Sequence, residues 1–149
     1  MTIFLGSDHA GFELKERIKN ELVESGHDVQ DLGATTLDPD DDYPTFARKV
    51  AEAVALQPDS FGILSCGNAV GVCVVANKTK GVRAGVGFSI EAAHTMRNDD
   101  DANVLCIPGR IPIMDDASEI LKTFLETPFS HEERHVRRIG AIEIGNKKL

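Results

Sequence analysis

The stretch Phe61-Gly62-Ile63-Leu64-Ser65-Cys66-Gly67-Asn68-Ala69-Val70-Gly71 is an apolar run that stops at a cysteine and passes into small, glycine-punctuated residues. A run of this length predicts a buried strand ending at Ser65-Cys66. Apolar residues dominate again from Val70 to Lys78 and predict a short helix, largely buried. Strand, tight loop and helix thus succeed one another within 18 residues, and the same unit recurs on both sides.

Upstream, Thr2–Gly6 predicts a first strand. Residues Ala10–Ser25 carry Leu14, Ile18 and Leu22 at i, i+4 and i+8 and predict a helix that stops at Gly26. His27–Leu32 is a weaker strand, and Pro44 at a first helical position opens a helix through Phe46, Val50 and Val54. Downstream come a strand at Val82–Gly87, a helix at Ser89–Arg97 with Ser89 as N-cap, and a strand at Asn103–Ile107. A helix at Asp115–Thr127 follows, then Pro128, then a charged helix from about His131 to Ile144. This alternation over 149 residues predicts one α/β domain, residues 1–149: a Rossmann-like three-layer sandwich around a five-stranded parallel sheet. In a 2-1-3-4-5 strand order, the winding reverses between the first and third strands, where ligands bind such sheets. The loops at that reversal are Ser7-Asp8-His9-Ala10-Gly11 and Cys66–Gly71.

Composition narrows the chemistry. A net charge of −8 argues against nucleic acid, and an anionic ligand would need a local basic cluster. With no charged-then-apolar leader and no apolar run of bilayer width, the expectation is a cytoplasmic protein without a membrane partner. Three cysteines without a Cys-x-x-Cys speak against a disulfide framework or a thiolate zinc site. Cys73 and Cys106 read as small buried hydrophobes. Cys66 differs, because a helix N-terminus following it favours a thiolate. The glycine loop after it fits neither dinucleotide nor P-loop spacing, and Val72 stands where a cysteine phosphatase would need arginine. The runs Asp40–Asp42 and Asp99–Asp101 lack EF-hand spacing and read as solvated loops or caps. In the last helix Glu133 can pair with Arg137, whereas Arg134 and Arg138 share a face without carboxylates four residues earlier. Together with Arg110, they predict a site for a bound phosphate.

Taken in order, Gly6-Ser7-Asp8-His9-Ala10-Gly11, Asp42-Tyr43-Pro44, Cys66–Gly71, Ala76-Asn77-Lys78 and Arg134-His135-x-x-Arg138 resemble the type B ribose-5-phosphate isomerases, whose relatives include galactose-6-phosphate isomerase subunits. The resemblance implies an aldose–ketose isomerase working through a cis-enediolate without cofactor or metal. It makes Cys66 the base and gives the enediolate oxygens to backbone N–H groups of Gly67, Asn68, Ala69, Val70 and Gly71. It assigns phosphate to His9, Arg110, Arg134 and Arg138, and the sugar to Asp8 and Tyr43, with Asp8 at the ring oxygen. It further implies a homodimer or homotetramer whose last helix reaches into the partner's site. Three positions depart from the family pattern. Asn68 replaces a hydroxyl residue, Ala69 a glycine, and Asp99 the ring-opening histidine, with His94 a helical turn from Asp99. The expected reaction is ribose 5-phosphate to ribulose 5-phosphate. A tetrose 4-phosphate, allose 6-phosphate or galactose 6-phosphate, or a non-catalytic sugar-phosphate sensor, are the alternatives.

Overall fold

The computed structural model describes residues 1–143. Over them β1 (Thr2–Ser7), α1 (Phe12–Glu24), β2 (Asp28–Asp31), α2 (Tyr43–Leu56), β3 (Phe61–Cys66) and α3 (Val70–Ala76) are followed by β4 (Ala84–Val86), α4 (Ile90–Asn98), β5 (Val104–Pro108), α5 (Ala117–Glu126) and α6 (Glu133–Glu143). Ile144, where the sequence places the end of the last helix, lies outside the described residues. Local signals act as expected at two helix ends. Ser89 Oγ accepts the Ala92 N–H, and Gly26 takes φ +80° beyond α1, a conformation that favours glycine.

All strand pairs are parallel, in the order β2-β1-β3-β5-β4. The expected 2-1-3-4-5 order is therefore wrong at one edge: β5 lies beside β3, and β4 is outermost. β5 is buried along its whole length, as a central strand requires. β4 has three half-buried residues, Ala84, Gly85 and Val86, which suit a short edge. Right-handed crossovers then fix the layers. The chain moves one way from β1 to β2 and from β4 to β5, which puts α1 and α4 on one face; α5 packs with them. It moves the other way from β2 to β3 and from β3 to β4, which puts α2 and α3 on the opposite face. The two apolar clusters follow this division. Ile18, Met96, Ile120 and Phe124 pack on the first face, and Val50, Val54, Val72 and Ala76 on the second. The reversal between β1 and β3 survives the change of order.

α3 departs from expectation as well. It ends at Ala76 and is not largely buried: Val72 and Ala76 face the sheet, while Val70 and Val74 are 51% and 52% exposed. A helix lying on one face of a sheet needs only one apolar stripe, so its outward valines lie outside this core.

At the β2 edge, Lys15 is 2% exposed, with Nζ 2.6 Å from both Asp31 Oδ2 and Glu16 Oε1; Lys19 joins the same two carboxylates. Burial alone would raise the Asp31 carboxyl, but hydrogen bonds from Lys15, Lys19 and the Gly33 N–H hold it below its ordinary value. A carboxyl lowered by folding contributes stability above its unfolded value of about 3.9, and that contribution is lost as pH falls through the folded value. Hydrogen bonds to Asp31 and Glu16 raise Lys19, so its contribution is lost only above about pH 10. Stability from this cluster is expected to be flat from about pH 5 to 9 and to fall below about pH 4. Asp31→Asn leaves the buried Lys15 with Glu16 as its one remaining carboxylate and is expected to cost about 2 kcal/mol, read by urea unfolding at pH 7.

Candidate active site

The C-terminal ends of β1, β3 and β5 bring one group of residues together. Ser7 pairs with Ser65, and Cys66 with Pro108, so the loops after these strands are neighbours. The Cys66 carbonyl accepts the Gly109 N–H at 2.9 Å, and the Gly67 carbonyl accepts the Arg110 N–H at 3.0 Å. Close approach makes Gly11 and Gly109 necessary here. A Cβ on Gly11 would stand 2.4 Å from the Ser65 carbonyl, and one on Gly109 would stand 2.6 Å from the Ala10 oxygen. Gly11→Ala is expected to destabilise the fold by about 3 kcal/mol through backbone collision, measurable as a fall in the urea midpoint.

Within this crevice Asp8 is buried, and its Oδ1 accepts the N–H groups of Ala10 and Gly11, which leaves Oδ2 for other partners. Asp8 therefore shapes the loop after β1. Cys66 is 5% exposed and packs in the apolar cluster beneath α3. Asn68 is exposed, and its Oδ1 accepts the Val70 N–H at 3.0 Å. That bond withdraws one of the expected backbone donors and leaves the Asn68 amide N–H₂ in its place. Ala69 is fully buried and left-handed, φ +62°, a conformation that favours glycine. The Tyr43 ring lies where a Gly71 side chain would be: a Cβ there would meet Cζ at 2.7 Å. Arg110 is exposed beside the loop.

The acidic run before Tyr43 is not merely solvated. The Asp41 side chain is 8% exposed, and its Oδ1 accepts from the His9 backbone N–H at 2.9 Å and bonds His9 Nδ1 at 2.8 Å. Three successive aspartates in a loop have no periodicity to indicate which one turns inward.

Asp99, Arg134 and Arg138 lie elsewhere. Asp99 follows α4 and precedes β5, whereas Cys66 adjoins the other end of β5, roughly 15 Å of strand away. α6 is anchored beside Asp99. Ser130 N–H donates to the Asn98 carbonyl at 3.0 Å, and Ser130 Oγ bonds His135 Nδ1 at 2.9 Å. His135 is 3% exposed, with Nδ1 3.7 Å from Asp99 Oδ1. His94, the histidine closest to Asp99 in sequence, is exposed; the imidazole that the fold brings to Asp99 is His135. Arg134 is also not unpaired: its Nε lies 2.8 Å from Glu132 Oε2. Glu132 precedes α6, so helical i, i+4 spacing does not reveal the pair. Arg138 is exposed one turn further along α6.

The other thiols behave as expected in part. Burial pushes the Cys106 thiol well up, and Cys106 is inert core. Cys73 is half-buried instead, and a hydrogen bond from Cys106 lowers it against the opposing effect of burial. A groove of about 680 Å³ between α1 and α5 is lined by Glu21, Glu24, Glu119 and Glu126 around Lys122. Its carboxylates oppose an anionic ligand, and none of the candidate residues reaches it. The described residues contain no cluster of three or more metal-ligating side chains and no helix long and apolar enough to cross a membrane.

A parallel sheet with loops converging at its winding reversal defines a Rossmann-like fold with its ligand crevice at that reversal. The ribose/galactose isomerase family model matches residues 3–142, and the chain belongs to that family. Ribose-5-phosphate isomerase B of Mycolicibacterium paratuberculosis is 42% identical over 142 residues, which are 95% of this chain and 89% of that protein. The crystal structure of ribose-5-phosphate isomerase B from Mycoplasma genitalium with bound ribulose 5-phosphate superposes with a TM-score of 0.92 at 42% identity, covering 99% of this chain and 97% of that one. The 4-deoxy-4-sulfo-D-erythrose isomerase of a Clostridium species is 36% identical, with 96% of each chain covered.

Proposed function

We propose that this sugar-phosphate isomerase interconverts ribose 5-phosphate and ribulose 5-phosphate in the cytoplasm, as a step of the pentose phosphate pathway. The observation that carries the reading is the meeting of Asp8, His9, Tyr43 and the Cys66–Gly71 loop at the β1/β3 reversal. It is supported by likeness, over nearly the whole chain, to a structure holding ribulose 5-phosphate. Asp8, through its second oxygen, assists opening of the furanose. Cys66, as thiolate, takes the C2 hydrogen as a proton. The C2–H electron pair becomes the C1–C2 double bond, the C1 carbonyl pair moves onto O1, and O1 is protonated. Proton return to C1, with loss of the O2 proton, then leaves the carbonyl at C2. The Asn68 amide and the remaining N–H groups of Gly67, Ala69 and Gly71 hold the developing charge. No metal or cofactor takes part in these steps.

His9 and Arg110 take one side of the phosphate. Arg134 and Arg138 stand too far from Cys66 in their own chain, so in this reading they belong to a second copy. The exposed Val70 and Val74 lie beside the Cys66 loop, where that copy would cover them. The functional unit is then a homodimer, alone or within a tetramer.

A second reading has its own support. Asp99 stands where the resemblance places the ring-opening histidine, and one relative is named for a four-carbon sulfosugar whose C4 carries sulfonate in place of the hydroxyl that would close a ring. A tetrose 4-phosphate needs no ring opening. Assaying ketose formation from ribose 5-phosphate, a tetrose 4-phosphate, allose 6-phosphate and galactose 6-phosphate separates the readings. The highest kcat/KM is expected for ribose 5-phosphate. A tetrose phosphate preferred by about a hundredfold selects the second reading. Tight binding without turnover of any of them selects a sensor.

A further inference from the structure

The His9–Asp41 contact has more structure than a loop closure needs. One carboxylate oxygen, Asp41 Oδ1, takes both the backbone N–H and ring Nδ1 of His9. The other, Oδ2, is buried without a hydrogen-bond partner. A buried carboxylate with an orphaned oxygen is costly to maintain, so selection for stability alone would favour a simpler contact. A carboxylate only accepts, so the shared hydrogen sits on His9 Nδ1, and Nε2 is left as the ring nitrogen open to a ligand. The His9 side chain keeps 27% of its surface exposed at the end of β1 beside the Cys66 loop. Two residues beyond Asp41, Tyr43 begins α2 and lies against Gly71. The same clasp therefore ties the β1 loop to the segment that carries Tyr43.

We infer that Asp41 is a positioning residue for anion recognition: it holds the His9 Nδ1–H and orients the ring so that Nε2, which donates only when it too carries a hydrogen, points to the phosphate of the substrate. The inference deepens the isomerase reading and depends on it only for the identity of the anion. Asp41→Ala removes the acceptor, whereas Asp41→Asn keeps an oxygen that can accept both bonds.

The test combines spectroscopy, binding and a mutant cycle. In ¹⁵N spectra of the histidine rings, the wild type is expected to give a His9 Nδ1–H signal protected from solvent exchange, present in Asp41→Asn and lost in Asp41→Ala. The dissociation constant for inorganic phosphate and KM for ribose 5-phosphate are expected to rise on the order of tenfold in Asp41→Ala, with kcat within a factor of about three. Asp41→Asn restores most of that loss. In a His9→Ala background the further loss of phosphate affinity on Asp41→Ala is expected to be within a factor of about two, because the ring is gone and only the bond to the position-9 backbone N–H remains. An unchanged Nδ1–H signal in Asp41→Ala overturns the inference, as does an equal loss of phosphate affinity with and without His9. Absence of turnover by the wild type would instead overturn the isomerase reading, and the spectra and phosphate titrations would still decide the role of Asp41.

Discussion

Cys66→Ala is expected to lower turnover of ribose 5-phosphate by about a thousandfold or more, the scale of a lost general base, with KM little changed. The thermal midpoint should move by a few degrees at most, because the substitution removes one small sulfur from an apolar cluster. Cys66→Ser should be nearly as impaired, since a hydroxyl at this corner is a far weaker acid than a thiol. Steady-state kinetics with matched thermal scans separate this from a folding defect. Turnover within tenfold of wild type in either variant would remove Cys66 from the chemistry and return it to the role of buried hydrophobe.

The second large effect concerns the two halves of the site. Arg138→Ala, like Cys66→Ala, should be nearly inactive alone, here through a large rise in KM for the phosphate ester. Denaturing the two variants together in equal amounts and refolding them should restore about a quarter of wild-type activity. Half of the dimers are mixed, and each mixed dimer holds one site with both Cys66 and the partner's Arg138 intact. A site completed within one chain predicts no recovery. The fold makes the experiment decisive, because α6 is anchored near Asp99 at the end of β5 opposite Cys66.

Most of the fold follows from local pattern. The β1 and β3 runs, the Leu14-Ile18-Leu22 stripe, the Gly26 stop and the Ser89 cap each reflect a local physical constraint, and each is found in place. The order of β4 and β5 was missed because consecutive strands are usually neighbours, a tendency that says nothing about which strand the edge tolerates. The signal was nevertheless present in the contrast between Ala84-Gly85-Val86 and the uninterrupted apolar Val104–Pro108. α3 read as buried because all-apolar helices usually are. A single sequence does not reveal that α3 lies on the sheet by one stripe and leaves Val70 and Val74 exposed.

The site was legible where glycines and the cysteine mark strand ends. It was illegible where function depends on long-range contacts between ordinary polar residues. Asp41 resembles its neighbours Asp40 and Asp42 in sequence and is distinguished only by a bond to His9 across 32 positions. His135 was noted within a motif, but nothing local ties it to Asp99, which lies 36 residues earlier and is reached only through tertiary folding. The separation of Arg134 and Arg138 from Cys66 likewise depends on the direction of β5 and the anchoring of α6, neither of which spacing along the chain encodes.

The most direct measurement follows the hydrogen itself. With the wild type, ribose 5-phosphate and ribulose 5-phosphate in D₂O, NMR should detect deuterium entering C2 of the aldose and C1 of the ketose as the two interconvert, and neither should occur with Cys66→Ala. Interconversion that retains the original hydrogen through many successive turnovers would favour a hydride shift, since a base that exchanges with solvent between turnovers takes up label, and would contradict the thiolate–enediolate account. So would label entering at an undiminished rate in the Cys66→Ala variant.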